Sequence, residues 1–505
     1  MFEIFQIPSI EVLPCSKVDI KLPFLINYFI RKFAIMKSLT KLAVIKWLLT
    51  PGLILFTFIS CRKEINHQQQ EEELQSARFT NPGQGVGNIS PAMVLQWNEA
   101  AVYTSLELQK VPDAPPVPPF VEARYYAMVN AAMHDALNNI IPKYQTYALR
   151  DARDKDADAN AAVAQAAYDV IVAMYDKLNP PAFFTTPQIK NYIDNLLQQS
   201  LSTIVDGNAK TKGINLGKAS AAAVLQKRAN DGIANVMYPV TQGTLPGQYR
   251  FTAPFDGPPF NGFLDSPGWG DITNFGGETS VQFLPPAPYP VNSAEYTADY
   301  NEIKKLGCAT CTGINGRTQE QEDIAKFWAE SSPYGWNKVA REIIAQQNMD
   351  AWRVAKILSL LQMAEADAYI GAIKAKMHYF YWRAVTAIQL GDNDGNPNTV
   401  GDPNWQVLLF PTPPVPDYPS AHATAGGAAA EVIKGFFNSD NFSFSFGSTT
   451  LPGHQRSFNS LSQAARENSL SRIYIGYHFR KACMEGEELG KKIGNYVFEN
   501  SLKEN

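Results

Sequence analysis

Three short stretches hold residues that attract anions and move protons: "KMHYFYWR" with Lys376 and Arg383, "DYPSAHATAGGAAAEV" with Ser420 and His422, and "SRIYIGYH" with Arg472 and His478. The chain has only six histidines, and two of them, His422 and His478, fall in the second and third of these stretches. "PTPPVPDYP" cannot be helix interior whereas "ATAGGAAAEVIKGFF" can, so Ser420, Ala421 and His422 fall at a helix N-terminus. Unpaired amides and the helix dipole draw an oxyanion there. Ser420 adds a hydroxyl donor, and His422 a group that gives or takes a proton near neutral pH. The plainer alternative is an N-cap serine with nothing bound beside a surface histidine. Lys376 and Arg383 stand seven residues apart, which on one helix is two turns and a shared face, so that both cations clamp one anion. His378 falls on nearly the opposite side and reads as structural. Arg472 and His478 flank Gly476, ahead of the helical pattern "RKACMEGEELGKKIG". The ordered triple Lys-x6-Arg, Pro-Ser-x-His, Ser-Arg-x5-His is far more specific than any of its parts.

The elements that must position these residues are helical. With 505 residues, 45% hydrophobic and 18% charged, the composition is globular. "EARYYAMVNAAMHDALNNI", "AAVAQAAYDVIVAMYDKL", "TQEQEDIAKFWAE" and "NKVAREIIAQQ" repeat apolar positions three and four apart. The run from "AWRVAKILSLL" to "WRAVTAI" is longer than an ordinary helix, and a break is expected between Ala364 and Asp367. Strand signals are scarce, and "FSFSFGSTT" reads as a hairpin or loop. The fold class is all-α, made of helical bundles with long irregular covering loops. The expected organisation is a leader over 1–60, a polar tether over 61–90, a helical half over 91–235, an irregular Pro/Gly/aromatic segment over 236–295 and a helical half over 296–505 that carries the oxyanion site.

The first 60 residues carry seven Lys/Arg against three acidic groups, which leaves a net charge of about −8 for the rest and argues against a nucleic-acid partner. Met36 opens a basic stretch, and Trp47 to Ile59 has the length of a signal h-region, too short to span a bilayer. "FISC" resembles a bacterial lipoprotein cleavage site, which implies a signal peptide over 36–60 with 1–35 upstream of the true start, lipidation at Cys61 and an exported, membrane-anchored protein on the periplasmic or cell-surface side. A plain signal-anchor is the rival. In an exported chain, Cys308 and Cys311 in "LGCATCTG" read as a small structural disulfide, since zinc needs about four ligands and no second pair exists.

Taken with "ADAYIGAIKAKMHYFYWRAVTAI", "PPVPDYPSAHATAGGA" and "NSLSRIYIGYHFR", the chain from about 95 to 500 resembles the vanadium-dependent haloperoxidases, which share a helical fold and an oxyanion site with the type 2 phosphatidic acid phosphatases and bacterial acid phosphatases. The resemblance implies that Lys376, Arg383, Ser420, the amide of Ala421 and Arg472 hold the oxygens of vanadate, that His478 bonds the metal axially, and that His422 is the acid/base. Lys376 would polarise bound peroxide. Hydrogen peroxide and halide would give hypohalous acid, which acts on an organic acceptor. The same residues suit phosphate-ester hydrolysis, with His478 forming a phosphohistidine and His422 protonating the leaving oxygen, because vanadate and phosphate are alike. An oxyanion-binding lipoprotein with little catalysis is the third reading.

Three positions depart from the family's pattern: Ala384 where proline usually follows the arginine, Ala421 where glycine separates serine from histidine, and Ala482 where an acidic residue follows the last histidine by four. The last leaves His478 without its orienting partner, so a carbonyl or Glu485 must replace it. Fungal chloroperoxidases carry aromatic residues at positions matching Ile373 and Val415, whose absence argues against strong chlorination. The leader yields the first test: Cys61→Ser should release the protein from the membrane fraction or block signal removal, and unchanged membrane association would exclude lipidation at Cys61.

Overall fold

The computed structural model describes residues 89–505 except 111–116, 179–186, 278–281 and 315. The leader, Cys61 and nearly all of the expected tether therefore lie outside the described residues. The chain divides into Met1–Arg78 and Phe79–Asn505, and every described residue belongs to the second unit. The described residues form thirteen α-helices and one two-stranded hairpin, so the all-α reading holds.

The N-terminal half contains α1 (Ala92–Gln109), α2 (Pro119–Asn138), α3 (Ala159–Leu178), α4 (Pro187–Ser202) and α5 (Asn208–Lys227). Ala123, Ala127, Ala131, Ala132 and Ala136 of α2 let neighbouring helices, among them α3, α5 and the central helix, approach it closely, and nearly the whole helix is buried. The described residues from there to α6 (Ala294–Leu306) are irregular apart from short 3-10 turns, one of them Pro267–Asp271 against the central helix. Cys308 and Cys311 form the expected disulfide just after α6. Arg317 ties this loop down by donating to the carbonyls of Leu306 at 2.6 Å and Cys308 at 3.0 Å. Next come α7 (Gln319–Phe327), which opens on a Thr318 capping box, and α8 (Ser332–Ala345).

The central helix α9 runs unbroken from Ala351 to Tyr379 over 29 residues, so the break expected between Ala364 and Asp367 does not occur. The residue most suggestive of an interruption is satisfied outside the helix, because the Asp367 carboxylate accepts the amides of Phe275 at 2.6 Å and Gly276 at 2.8 Å. Alanines around it let α2 and the C-terminal helices close over both sides. The helix ends at Phe380, in the left-handed region with φ 47°, whose amide returns to the Lys376 carbonyl at 2.9 Å. Arg383 therefore lies outside α9, as the N-cap residue of α10 (Ala384–Gln389). The expected sharing of one helix face by Lys376 and Arg383 is overturned; a turn brings them together.

The C-terminal half adds α11 (Ala421–Phe437), the hairpin β1 (Phe444–Ser448) and β2 (Leu451–Phe458), α12 (Leu461–Ile475) and α13 (Arg480–Asn500). The antiparallel hairpin includes the "FSFSFGSTT" stretch, with Phe444 opposite Phe458. Helices α11 and α13 pack extensively against each other, and glycine permits it. Gly486, Gly490 and Gly494 repeat every fourth residue on one face of α13. A Cβ on Gly490 would sit 2.1 Å from the Thr424 carbonyl oxygen, and one on Gly486 would sit 2.6 Å from that of Ser420. This contact fixes the N-terminus of α11. Gly490→Ala should therefore destabilise the protein by about 1–3 kcal/mol through overpacking, read as a lower thermal midpoint; an unchanged midpoint would mean that the two helices can separate freely.

Candidate active site

Four structural ends meet in one place: the C-terminus of α9, the N-cap of α10, the N-terminus of α11 and the turn joining α12 to α13. Lys376 occupies the last turn of α9, fully buried, and its Nζ donates to the carbonyls of Pro416 at 2.6 Å and Asp417 at 2.9 Å. Arg383 reaches the same segment, donating from Nε to Val415 at 2.7 Å and from Nη2 to Pro413 at 3.2 Å. Its Nη1 also donates to the Tyr477 carbonyl at 3.1 Å. Arg472, in the last turn of α12, donates from Nη1 to the Trp328 carbonyl at 3.0 Å, while its buried Nε has no partner. Burial lowers the proton affinity of all three cations.

Ser420 is the N-cap of α11, and its oxygen accepts the Ala423 amide at 3.3 Å. The cap and the oxyanion readings are compatible, because a capping hydroxyl still has its own proton to donate. Ala421 is the first residue of α11, where amides have no partner within the helix, and its methyl packs against the main apolar core. His422 is no surface histidine: its Nε2 is buried without a partner, and its Nδ1 lies 2.9 Å from the Ser332 hydroxyl. Burial, and then Arg472, push its proton affinity well below the usual range.

His478 follows Gly476, the left-handed residue with φ 91° that ends α12 and passes so close to Gly307 that a Cβ would sit 2.4 Å from its carbonyl oxygen. Its Nδ1 lies 2.9 Å from Asp417 Oδ1, and its Nε2 lies 3.0 Å from Arg383 Nη1. Arginine can only donate, so Nε2 carries the lone pair and Nδ1–H donates to Asp417. Burial first, then Arg383, Lys376 and Arg472, keep the ring neutral by holding its proton affinity well below the usual value. Burial pushes Asp417 up to about 7, against the pull of Arg383 and Lys376.

Asp417 is thus the orienting acid that Ala482 lacks, and it corrects the expected carbonyl or Glu485. Glu485 instead pairs with Lys481 at 2.6 Å. Ala482 contributes only its carbonyl, which accepts the Ser420 amide at 2.9 Å. Asp417 was visible in "PVPDYPSAH" as a carboxylate flanked by a proline-rich run, three residues before Ser420, but nothing in the spacing tied it to His478. Ser332 gave no signal at all. The alanine at 384 simply opens α10 behind Arg383. Ile373 is buried in the core, and Val415 is half-buried, serving the site through its carbonyl.

All seven residues singled out from the sequence converge on one basic cradle. Three cations face one carboxylate there, and the buried unpartnered donor on Arg472 fits a group carrying several anionic oxygens. His478 Nε2 offers a lone pair in the same place, which fits a metal inside that oxyanion.

The sequence and the fold both match known proteins. A model described as the vanadium chloroperoxidase N-terminal domain matches residues 88–259, and one described as the VCPO second helical-bundle domain matches residues 356–504. The vanadium chloroperoxidase of Curvularia inaequalis is 24% identical over 492 residues, covering 77% of this chain and 78% of that protein. A crystal structure described as the first bacterial vanadium-dependent iodoperoxidase shares the fold with a TM-score of 0.66 at 22% identity, over 83% of this chain and 98% of that one. A holo-type bacterial vanadium-dependent chloroperoxidase gives a TM-score of 0.58 at 16% identity, over 77% of this chain and 93% of that one. With both helical modules matched in order and the fold shared, the chain belongs to the vanadium-dependent haloperoxidase family.

Proposed function

We propose that the protein is a vanadate-dependent haloperoxidase that oxidises halide with hydrogen peroxide to hypohalous acid. The observation that carries this reading is His478, fixed by Asp417 in the tautomer whose Nε2 lone pair lies among Lys376, Arg383 and Arg472. Lys376, Arg383, Ser420, the Ala421 amide and Arg472 would hold the oxygens of vanadate, and His478 Nε2 would bind its vanadium. Vanadate, when bound, supplies the Lewis-acidic centre at which peroxide is activated toward halide. The chain's own residues do the rest. The cations neutralise the oxyanion's charge, in a site already organised by backbone carbonyls, so little reorganisation is needed. His422 Nε2, unpartnered and buried, is the atom that takes and returns a proton on the peroxide oxygens. Burial strengthens each of these contacts. The leader supports an exported, lipid-anchored location, for which the Cys61 substitution above is the test.

Phosphate fits the same cradle, and the tautomer that exposes Nε2 to a metal also exposes it as a nucleophile. A single set of assays separates the two chemistries. Purified protein loaded with vanadate should brominate or iodinate an acceptor when peroxide is added, and excess phosphate should suppress this; phosphate-ester hydrolysis without halogenation would replace the haloperoxidase reading with the phosphatase one. His478→Ala should abolish halogenation while phosphate still raises the thermal midpoint, since the cations remain. At a hundredfold excess over its dissociation constant a ligand adds about 2.7 kcal/mol. Full activity in His478→Ala would remove the metal-binding role.

Asp417 has its own signature. Asp417→Ala leaves His478 Nδ1 buried without an acceptor and should weaken vanadate binding about 10–100-fold, whereas Asp417→Asn, whose amide oxygen still accepts from Nδ1–H, should lose less. Equal affinities in wild type and Asp417→Ala would show that another group orients the ring.

A further inference from the structure

The Nδ1 side of His478 has a small cavity of its own, with room for about one water molecule. Asp417 lines it, together with Tyr296 and Asp299 of α6, Tyr381 and Ala482. Ala482 brings only a methyl to this wall, at the position where the family's pattern has an acid. The Asp417 carboxylate is fully buried, yet only Oδ1 is used, by His478 Nδ1–H at 2.9 Å; Oδ2 has no partner. Arg383, Lys376 and the Phe479 amide act on the carboxylate without bonding Oδ2, and Asp299 repels it. The Tyr296 hydroxyl is a second buried group without a partner. Its ring packs against those of Phe479 and Trp382, at 5.6 and 6.4 Å between centroids, and burial keeps the phenol protonated, so it has a proton to donate.

The other polar groups around the cavity are committed. Tyr381 donates to the Tyr289 carbonyl at 2.9 Å, Asp299 Oδ2 accepts the Lys481 amide at 2.8 Å, and Lys481 Nζ pairs with Glu485 at 2.6 Å. A buried acceptor and a buried donor at one cavity are costly unless one occupant pairs with both. An anion there would face Asp417 and Asp299, and a cation would join Lys376 and Arg383. The space is too small for an organic molecule. Water meets every condition, since it accepts from one neighbour and donates to two, the three bonds usual for a buried water.

We propose that this cavity binds one ordered water, which accepts from the Tyr296 hydroxyl and donates to Asp417 Oδ2, and that Tyr296 is thereby a positioning residue for His478. The inference deepens the haloperoxidase reading and rests on it only for what His478 does with its lone pair. A carboxylate held at one oxygen can turn about its Cβ–Cγ bond and carry Oδ1 away from Nδ1–H. Held at both oxygens it cannot, and the imidazole plane is fixed with it. The second proton of the water goes to the Asp299 carboxylate, which also lines the cavity and is itself anchored on the first turn of α13 through the Lys481 amide. The orientation of the ring is thus tied to α6 and α13 as well as to the cradle.

A high-resolution crystal structure of the vanadate-free protein tests the site directly. It should show a water about 2.7–3.0 Å from both Asp417 Oδ2 and the Tyr296 hydroxyl oxygen; an empty cavity overturns the proposal. Tyr296→Phe gives a second reading through the sign of the stability change. Deleting a hydroxyl that has no partner raises the thermal midpoint, whereas deleting one that holds the water lowers it, so a raised midpoint overturns the role of Tyr296. The Nδ1–H proton resonance of His478, assigned by its loss in His478→Ala, should exchange with solvent faster in Tyr296→Phe than in wild type. Vanadate affinity should fall about three- to tenfold in that variant, the worth of one hydrogen bond, while inorganic phosphate, held by the cations, should bind as in wild type. A general loosening of the site would weaken both anions, so equal losses, or no loss of either, overturn the positioning role. If water, midpoint, resonance and affinities behave as stated but vanadate-loaded protein never halogenates, the positioning stands and the haloperoxidase reading is the one that fails.

Discussion

Three cations, Lys376, Arg383 and Arg472, are buried together with one carboxylate, Asp417, among them, and the architecture around the site follows from holding that charge without an ion pair for each. A buried charge needs hydrogen-bond acceptors in place of lost water. Here they are backbone carbonyls: Pro413, Val415, Tyr477 and Trp328 for the arginines, Pro416 and Asp417 for the lysine. A helix would have spent those carbonyls on its own amides. The run "PTPPVPDYP" cannot form one, because proline has no N–H and clashes with the preceding turn, so its carbonyls remain available to the side chains. The same sequence that ends before the α11 N-terminus is therefore the counter-charge of the cradle.

Such a cradle works only if the pieces cannot drift apart, and glycine and alanine supply that closeness. Helix α13 meets α11 backbone to backbone along Gly486, Gly490 and Gly494. Ser420 is fixed at both ends, by the Ala482 carbonyl behind its amide and the Ala423 amide at its hydroxyl. On the other side, α9 is held by the apolar core from Ala351 to Lys376, which gives Lys376 a rigid base for a flexible side chain. A left-handed residue ends each element that delivers a functional side chain across a turn: Phe380 before Arg383 and Gly476 before His478.

Much of this was legible beforehand, and the failures share a cause. Local patterns revealed the helices, the capping serine and the hairpin, because each depends on a few neighbouring residues. The motif order brought Lys376, Arg383, Ser420, His422, Arg472 and His478 to one site, although the geometry assumed for the first pair was wrong. Seven residues suggest two turns only if the helix continues, and it ends at Phe380, whose carbonyl accepts the Tyr249 amide and whose ring packs on that of Tyr249, 131 positions away in the chain. The supposed break at Asp367 failed likewise, since its partners, the amides of Phe275 and Gly276, are about ninety positions away. Asp417 and Ser332 were missed for the same reason. Their partners are 61 and 90 residues distant, and a lone carboxylate or serine carries no periodicity that would announce such a pairing.

The buried charge also links binding to protonation. In the cradle by itself, both histidines are held neutral chiefly by burial, and next by Arg472 for His422 and by Arg383 and Lys376 for His478. An oxyanion seated among the cations cancels the electrostatic part of that penalty while leaving the burial part in place. The proton affinity of His422 therefore rises when the anion arrives, by linkage, and a proton on His422 favours the anion in return. For His478 the balance differs, because Asp417 already claims Nδ1–H and Nε2 must give its lone pair to whatever occupies the cradle. One field thus acts on two differently held histidines: Asp417 orients the ring of His478, whereas the Nδ1 of His422 faces the Ser332 hydroxyl and its Nε2 has no partner.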